Sequence, residues 1–127
     1  MLDNSPRILI IEDEWAITDL IDEIVGDLGY TVSGTAHSLP AARNEISKRN
    51  FDAVLLDIGL QGRHDPEIAD RLKEAETPFA FVTGYGHPFE RRHIDVPLLR
   101  KPFTIFQLRS TLEELVGPPS VRAAEHG

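Results

Sequence analysis

Two hydrophobic rhythms alternate along the chain. Arg7-Ile-Leu-Ile-Ile11 is apolar at successive positions and rich in β-branched residues, which predicts a strand buried on both faces. Ile17, Leu20, Ile21, Ile24, Val25 and Leu28 then recur at helical spacing and predict a helix from Glu14 to Leu28, ended by Gly29. A weaker strand is expected over Tyr30 to Ala36, because Ser33 and Gly34 interrupt it, and a helix over Ser38 to Asn50 with Leu39, Ala42 and Ile46 on one face. Asp52-Ala-Val-Leu-Leu-Asp57 reads as the third strand. Asp65 as N-cap and Pro66 at the first helical position start a helix reaching to about Glu76, which Thr77-Pro78 stops. Phe79-Ala-Phe-Val-Thr83 is the fourth strand, with both phenylalanines on one core face. Gly84 to Asp95 has little periodicity and reads as a short or frayed helix. Val96 to Arg100 is a short fifth strand, and Thr104 to Val116 a last helix with Phe106, Leu108, Leu112 and Leu115 inward.

Five strand–helix units in this order imply an α/β fold, a parallel sheet with helices on both faces and right-handed crossovers. Residues 1–6 read as an N-terminal extension, 7–116 as one domain, and 117–127 as a disordered tail opened by Gly117-Pro-Pro. At 127 residues a second folded module has no room, so no attached output domain is expected. Ligand sites in such sheets lie beyond the carboxyl ends of the strands.

Composition narrows the chemistry. The chain has no cysteine, which excludes disulfides, zinc–thiolate sites and thiol nucleophiles. The net charge of −8 argues against nucleic acid or an anionic membrane as partner. Residues 1–65 hold 12 acids and 5 bases, so the negative charge is concentrated in the first half. No apolar run approaches the ~20 residues of a membrane span, and the start lacks the features of a signal peptide. A cytoplasmic location is expected.

The strand ends carry the remaining signal. The first strand ends in Glu12-Asp13, the third in Asp57, the fourth in Thr83 and the fifth in Lys101-Pro102. If the first and third strands are neighbours, three carboxylates converge and raise one another's pKa. A hard divalent cation relieves that repulsion, and Mg²⁺ favours carboxylate oxygens and bridges to phosphoryl groups. A lysine and a threonine hydroxyl at the same edge complete an anion site. The set reads as a place where one carboxylate accepts a phosphoryl group beside a metal. Taken singly, Glu12, Asp13 and Glu14 would be an acidic helix N-terminus, Asp57 a cap and Lys101 a solvated charge; only the ordered combination outweighs those readings.

That combination resembles the receiver domain of two-component response regulators, over residues 7–116. The resemblance implies a flavodoxin-like (βα)5 fold with strand order 2-1-3-4-5. It implies Asp57 as phosphoacceptor from a histidine kinase, and Mg²⁺ or Mn²⁺ held by Glu12, Asp13, Asp57 and the Gly59 backbone carbonyl. Lys101 would contact the phosphoryl oxygens, its bond to Pro102 would be cis, and Thr83 would act as the switch hydroxyl. Two departures stand out. Leu98 replaces the aromatic that most receivers carry three residues before the lysine, and Pro78-Phe79-Ala-Phe81-Val-Thr83-Gly84-Tyr85 resembles the FAT GUY subgroup. There Tyr85 and a mobile fourth helix would take over signalling, with Gly59 and Tyr85 flanking the site and tuning turnover. The expected partner is a histidine kinase, of the histidine-kinase-2 type in that subgroup, or a phosphotransfer protein.

The expected role is a stand-alone signalling module, working by phosphorylation-dependent protein contact or as a phosphorelay intermediate or phosphate sink. It is no enzyme beyond its own phosphorylation and dephosphorylation. A pseudo-receiver adaptor that never takes phosphate is the alternative. Hydrolase and dinucleotide motifs are missing: Asp13-Glu14-Trp15 and Asp57-Ile58-Gly59 lack Asp-x-Asp, and no Gly-x-Gly-x-x-Gly follows the first strand. Trp15 is expected to pack near the site as partial core. The five histidines, 37, 64, 87, 93 and 126, show no ligand spacing and read as surface residues.

Overall fold

Five parallel strands pair in the order β2-β1-β3-β4-β5 in the computed structural model, which describes residues 5–60, 66–84 and 95–119. Along the chain these are β1 (Arg7–Ile11), α1 (Trp15–Asp27), β2 (Thr31–Ala36), α2 (Leu39–Lys48), β3 (Ala53–Asp57), α3 (Pro66–Glu74), β4 (Phe79–Thr83), β5 (Leu98–Arg100) and α4 (Ile105–Val116). The expected helix over Gly84 to Asp95 lies mostly outside the described residues, as do the N-cap at Asp65 and Tyr85.

The sheet is buried on both faces, and residue parity assigns each side chain to one of two cores. Leu9, Ile11, Val54, Leu56, Phe79 and Phe81 pack with α2 and α3 through residues such as Ala42, Ile68 and Leu72. Ile8, Ile10, Leu55, Ala80, Val82 and Leu99 pack with α1 and α4 through Ile21, Val25, Leu108 and Leu112. Successive strand residues point to opposite faces, so a strand serving both cores is apolar throughout. That is the run read from Arg7 to Ile11, of which all but Arg7 is buried. Phe79 and Phe81 share one face, their rings edge-to-face at 5.5 Å.

The helix ends follow local chemistry. Gly29 has φ of 98°, with its N–H on the Gly26 carbonyl and that of Tyr30 on the Val25 carbonyl, a left-handed closure that spends Tyr30's donor before the ladder begins. The same pattern ends α3 with a non-glycine residue: Glu76 has φ of 56°, its N–H bonds Lys73 and the N–H of Thr77 bonds Leu72. This closes α3 two residues earlier than expected. Thr104 and Gln107 form a reciprocal capping box at the start of α4. At the far end of α4, the buried Tyr30 hydroxyl donates to the Gly117 carbonyl at 2.9 Å.

Three expectations are corrected. Phe106 is not inward but 70% exposed, with the Arg109 guanidinium 5.0 Å from its ring centre. The buried stripe of α4 is Leu108, Thr111 and Leu112, and a residue two positions before Leu108 lies about 200° around the helix. Leu20 is likewise half-exposed, because Thr18, Ile21 and Val25 form the inward stripe of α1. β5 is shorter than expected, since Pro97 has no N–H for the ladder and contributes only its carbonyl, to Phe81. The weakness read into β2 is a bulge: Leu9 pairs with Gly34 where Ile8 pairs with Val32, leaving Ser33 unmatched.

Candidate functional site

With β1 and β3 adjacent in the sheet, the residues at and just beyond their carboxyl ends meet. Glu12, Asp13 and Asp57 each offer a carboxylate oxygen to one cluster in which these atoms lie within 4.8 Å of one another. Glu12 is 1% exposed and Asp57 5%, a costly placement for two anions. The compensation comes from β5. Lys101 follows its last residue, and its Nζ lies 2.7 Å from Glu12 Oε1, 3.8 Å from Asp57 Oδ2 and 3.8 Å from Glu14 Oε1. The Lys101 N–H donates to the Thr83 carbonyl at 2.8 Å, which fixes where the side chain leaves the backbone, and the Lys101–Pro102 peptide is cis.

Two backbone donors finish the carboxylates. The Gly59 N–H donates to Asp57 Oδ1 at 3.0 Å, and the Glu14 N–H to Glu12 Oε2 at 3.2 Å. Thr83, buried at the end of β4, donates its hydroxyl to the Gly84 carbonyl at 2.9 Å. Leu98 pairs in register with Phe81 and packs against the core shared with α2 and α3.

The electrostatics show a deficit of positive charge. Burial, and then the Glu12 charge, push Asp57 from 3.8 up to about 7, against the opposing pull of Lys101 and the Gly59 N–H. Burial alone would lower Lys101, but its contacts with Glu12, and the charges of Asp57 and Glu14, outweigh this and raise it. One ammonium does not neutralise three clustered carboxylates. Their all-oxygen donor set is the chemistry that hard divalent cations select, so the residues fit Mg²⁺ or Mn²⁺.

Sequence reasoning missed or misplaced three neighbours. Trp15 lies near the site but is 67% exposed rather than part of the core, whereas Thr18, Ile21 and Val25 are the buried residues of α1. Its ring stacks on His37, with centroids 3.6 Å apart and planes tilted by 36°. His37, read as a surface residue, is partly buried, and its Nδ1 lies 2.8 Å from the Glu12 carbonyl. A carbonyl only accepts, so Nδ1 carries the proton in that bond. Thr18 reaches the same carbonyl at 3.3 Å and that of Glu14 at 3.1 Å. The available signal for His37 was position: it directly follows β2, at the same edge as Glu12.

A family model described as the response regulator receiver domain matches residues 8–113. The chain is 33% identical over 87 residues to the transcriptional regulatory protein DltR of Streptococcus agalactiae, an alignment covering 67% of this chain and 38% of DltR. It spans about half or less of the first curated relatives it matches. It is 28% identical to sporulation initiation phosphotransferase F of Bacillus subtilis, covering 87% of this chain and 93% of that protein. Among solved structures it is similar to SdrG from Sphingomonas melonis Fr1, with a TM-score of 0.80 and 30% identity over 91% of this chain and 99% of that one.

Proposed function

Because the chain belongs to the response regulator receiver domain family, we propose that it accepts a phosphoryl group on Asp57 and signals through the change this produces. Receiver domains are signalling modules that take this group from histidine kinases or phosphotransfer proteins. The observation that carries the reading is the buried Asp57 carboxylate, with Lys101 Nζ 3.8 Å away and Glu12 and Asp13 in the same cluster.

The transfer breaks the N–P bond of a phosphohistidine and forms a P–O bond to an Asp57 carboxylate oxygen. Asp57 must be ionised to attack, yet its surroundings hold it near 7. Glu12, Asp13, Asp57 and the Gly59 carbonyl are the residues to hold a divalent cation, which when bound supplies the missing positive charge and neutralises phosphoryl oxygens. The Lys101 ammonium, now nearest Glu12, is in reach of a group added to Asp57. The Thr83 hydroxyl turns from the Gly84 carbonyl to donate to a phosphoryl oxygen, and that exchange of partners is the switch. With Leu98 in place of an aromatic, Tyr85 and the segment after it carry the readout, as the likeness to FAT GUY receivers suggests.

Service as a phosphorelay intermediate draws support from the likeness to sporulation initiation phosphotransferase F, matched over 93% of that protein. The test is mass spectrometry after incubation with acetyl phosphate and Mg²⁺. A single phosphoryl adduct is expected on the wild type and none on Asp57→Ala. No adduct, or an equal one on the variant, overturns the reading in favour of a phosphorylation-independent adaptor.

A further inference from the structure

We propose that His37 and Trp15 are positioning residues for the acidic loop, and that their stacked pair sets its affinity for the divalent cation. This rests on the metal reading above. Glu12 is held at three points by groups outside the carboxylate cluster. Its N–H donates to the Ala36 carbonyl at 2.9 Å, and its carbonyl accepts from His37 Nδ1 at 2.8 Å and from the Thr18 hydroxyl at 3.3 Å. Ala36 and His37 are consecutive, so the end of β2 grips the peptide groups on both sides of the Glu12 Cα and fixes the start of the loop that carries Asp13.

His37 must itself be held for that grip to be directional. It is one residue past a strand end and has no sheet partner there. Its ring lies against the Trp15 indole, 3.6 Å between centroids, on the first residue of α1. The two aromatics thus tie the start of α1 to the end of β2 across the loop of residues 12–14. Trp15 keeps two-thirds of its surface exposed, so the core does not account for a large apolar residue in this position. Packing against His37 does. Groups that orient metal ligands without touching the metal typically change affinity by about 10–100-fold when removed.

The experiment titrates MgCl2 into the metal-free full chain by calorimetry, with near-ultraviolet circular dichroism reporting the environment of Trp15, the chain's one tryptophan. His37→Ala is expected to weaken Mg²⁺ binding roughly ten-fold, toward the low end of that range. His37→Asn, whose amide N–H replaces Nδ1–H, is expected to recover most of the loss. Trp15→Ala is expected to weaken binding by a smaller factor and Trp15→Phe to keep it. Thermal melts without metal check that each variant is folded at the titration temperature. Unchanged Mg²⁺ affinity in a folded His37→Ala overturns the inference alone, as does an equal loss in His37→Ala and His37→Asn. Failure of the wild type to bind Mg²⁺, or binding undiminished in Asp13→Ala, overturns the metal reading and this inference with it.

Discussion

Lys101 Nζ is 2.7 Å from Glu12 Oε1 but 3.8 Å from Asp57 Oδ2, so the ammonium of the site leans on the flanking carboxylate and not on the proposed acceptor. Glu12 thereby acts on Asp57 twice. Its own charge raises Asp57, and it draws away the cation that would lower it. Glu12→Gln removes both effects, and the Asp57 titration in metal-free protein is expected to move downward. Carboxyl-carbon NMR across pH 4–9 reads this directly; an unchanged or higher midpoint would contradict it.

The same shift makes metal-free stability depend on pH in an unusual direction for a carboxylate. Asp57 titrates near 3.8 when unfolded and about 7 when folded, so between those values the folded state binds more protons. The Asp57 contribution therefore destabilises progressively as pH rises through this window, is complete above it, and vanishes below the unfolded value. Asp57→Asn is expected to gain on the order of 2 kcal/mol at pH 8 without metal, about half of what the full shift converts to, and almost none at pH 4. Urea melts at the two pH values measure the difference, and saturating Mg²⁺ is expected to shrink it.

Two phenylalanines separate burial from hydrophobicity. Phe81 is 2% exposed, whereas Phe106 is 70% exposed. Phe81→Ala is expected to cost about 3–5 kcal/mol through lost transfer energy and a cavity. Phe106→Ala should stay within about 0.5 kcal/mol. Equilibrium unfolding of both variants tests the contrast, and comparable losses would refute the assignment of Phe106 to the surface.

Gly34 sits beneath an acidic side chain. A Cβ built there would lie 2.6 Å from Glu45 Oε1, and Glu45 is itself paired with Lys48 at 2.9 Å. The obstacle is the far end of a flexible side chain, which can swing out at the expense of an ion pair worth about 0.3–0.5 kcal/mol. Gly34→Ala is therefore expected to cost less than ~1 kcal/mol, with a larger loss for Gly34→Val, whose branches also meet Leu9. Thermal melts of the two variants order the effects.

How far the sequence carried depended on which physical term was at work. Strand identity followed from apolar runs that serve two cores at once, so β1, β3 and β4 were placed within a residue. The carboxylates, Thr83 and Lys101 were legible because each ends a strand or lies within two residues of its end, and parallel pairing brings all these ends to one edge. Phe106 and Trp15 show that hydrophobic character is not position: one faces away from the buried stripe of its helix, the other lies against His37 with most of its surface exposed. The grip of His37 on Glu12 depends on adjacency of β2 and β1, a tertiary relation that no local pattern encodes. Glu14 was read only as helix-end acidity, although it contacts Lys101 at 3.8 Å.

The bond from Tyr30 to Gly117 has a practical side. Tyr30 lies at the amino-terminal edge of the sheet, beside the entry of β1, where the Thr31 N–H meets the Pro6 carbonyl. Anchoring the end of α4 there brings residues 6 and 117 to the same rim, opposite the carboxylates. A fluorescent protein or affinity tag grafted at either position would start from the rear of the molecule, leaving the acidic crevice open to a visiting partner.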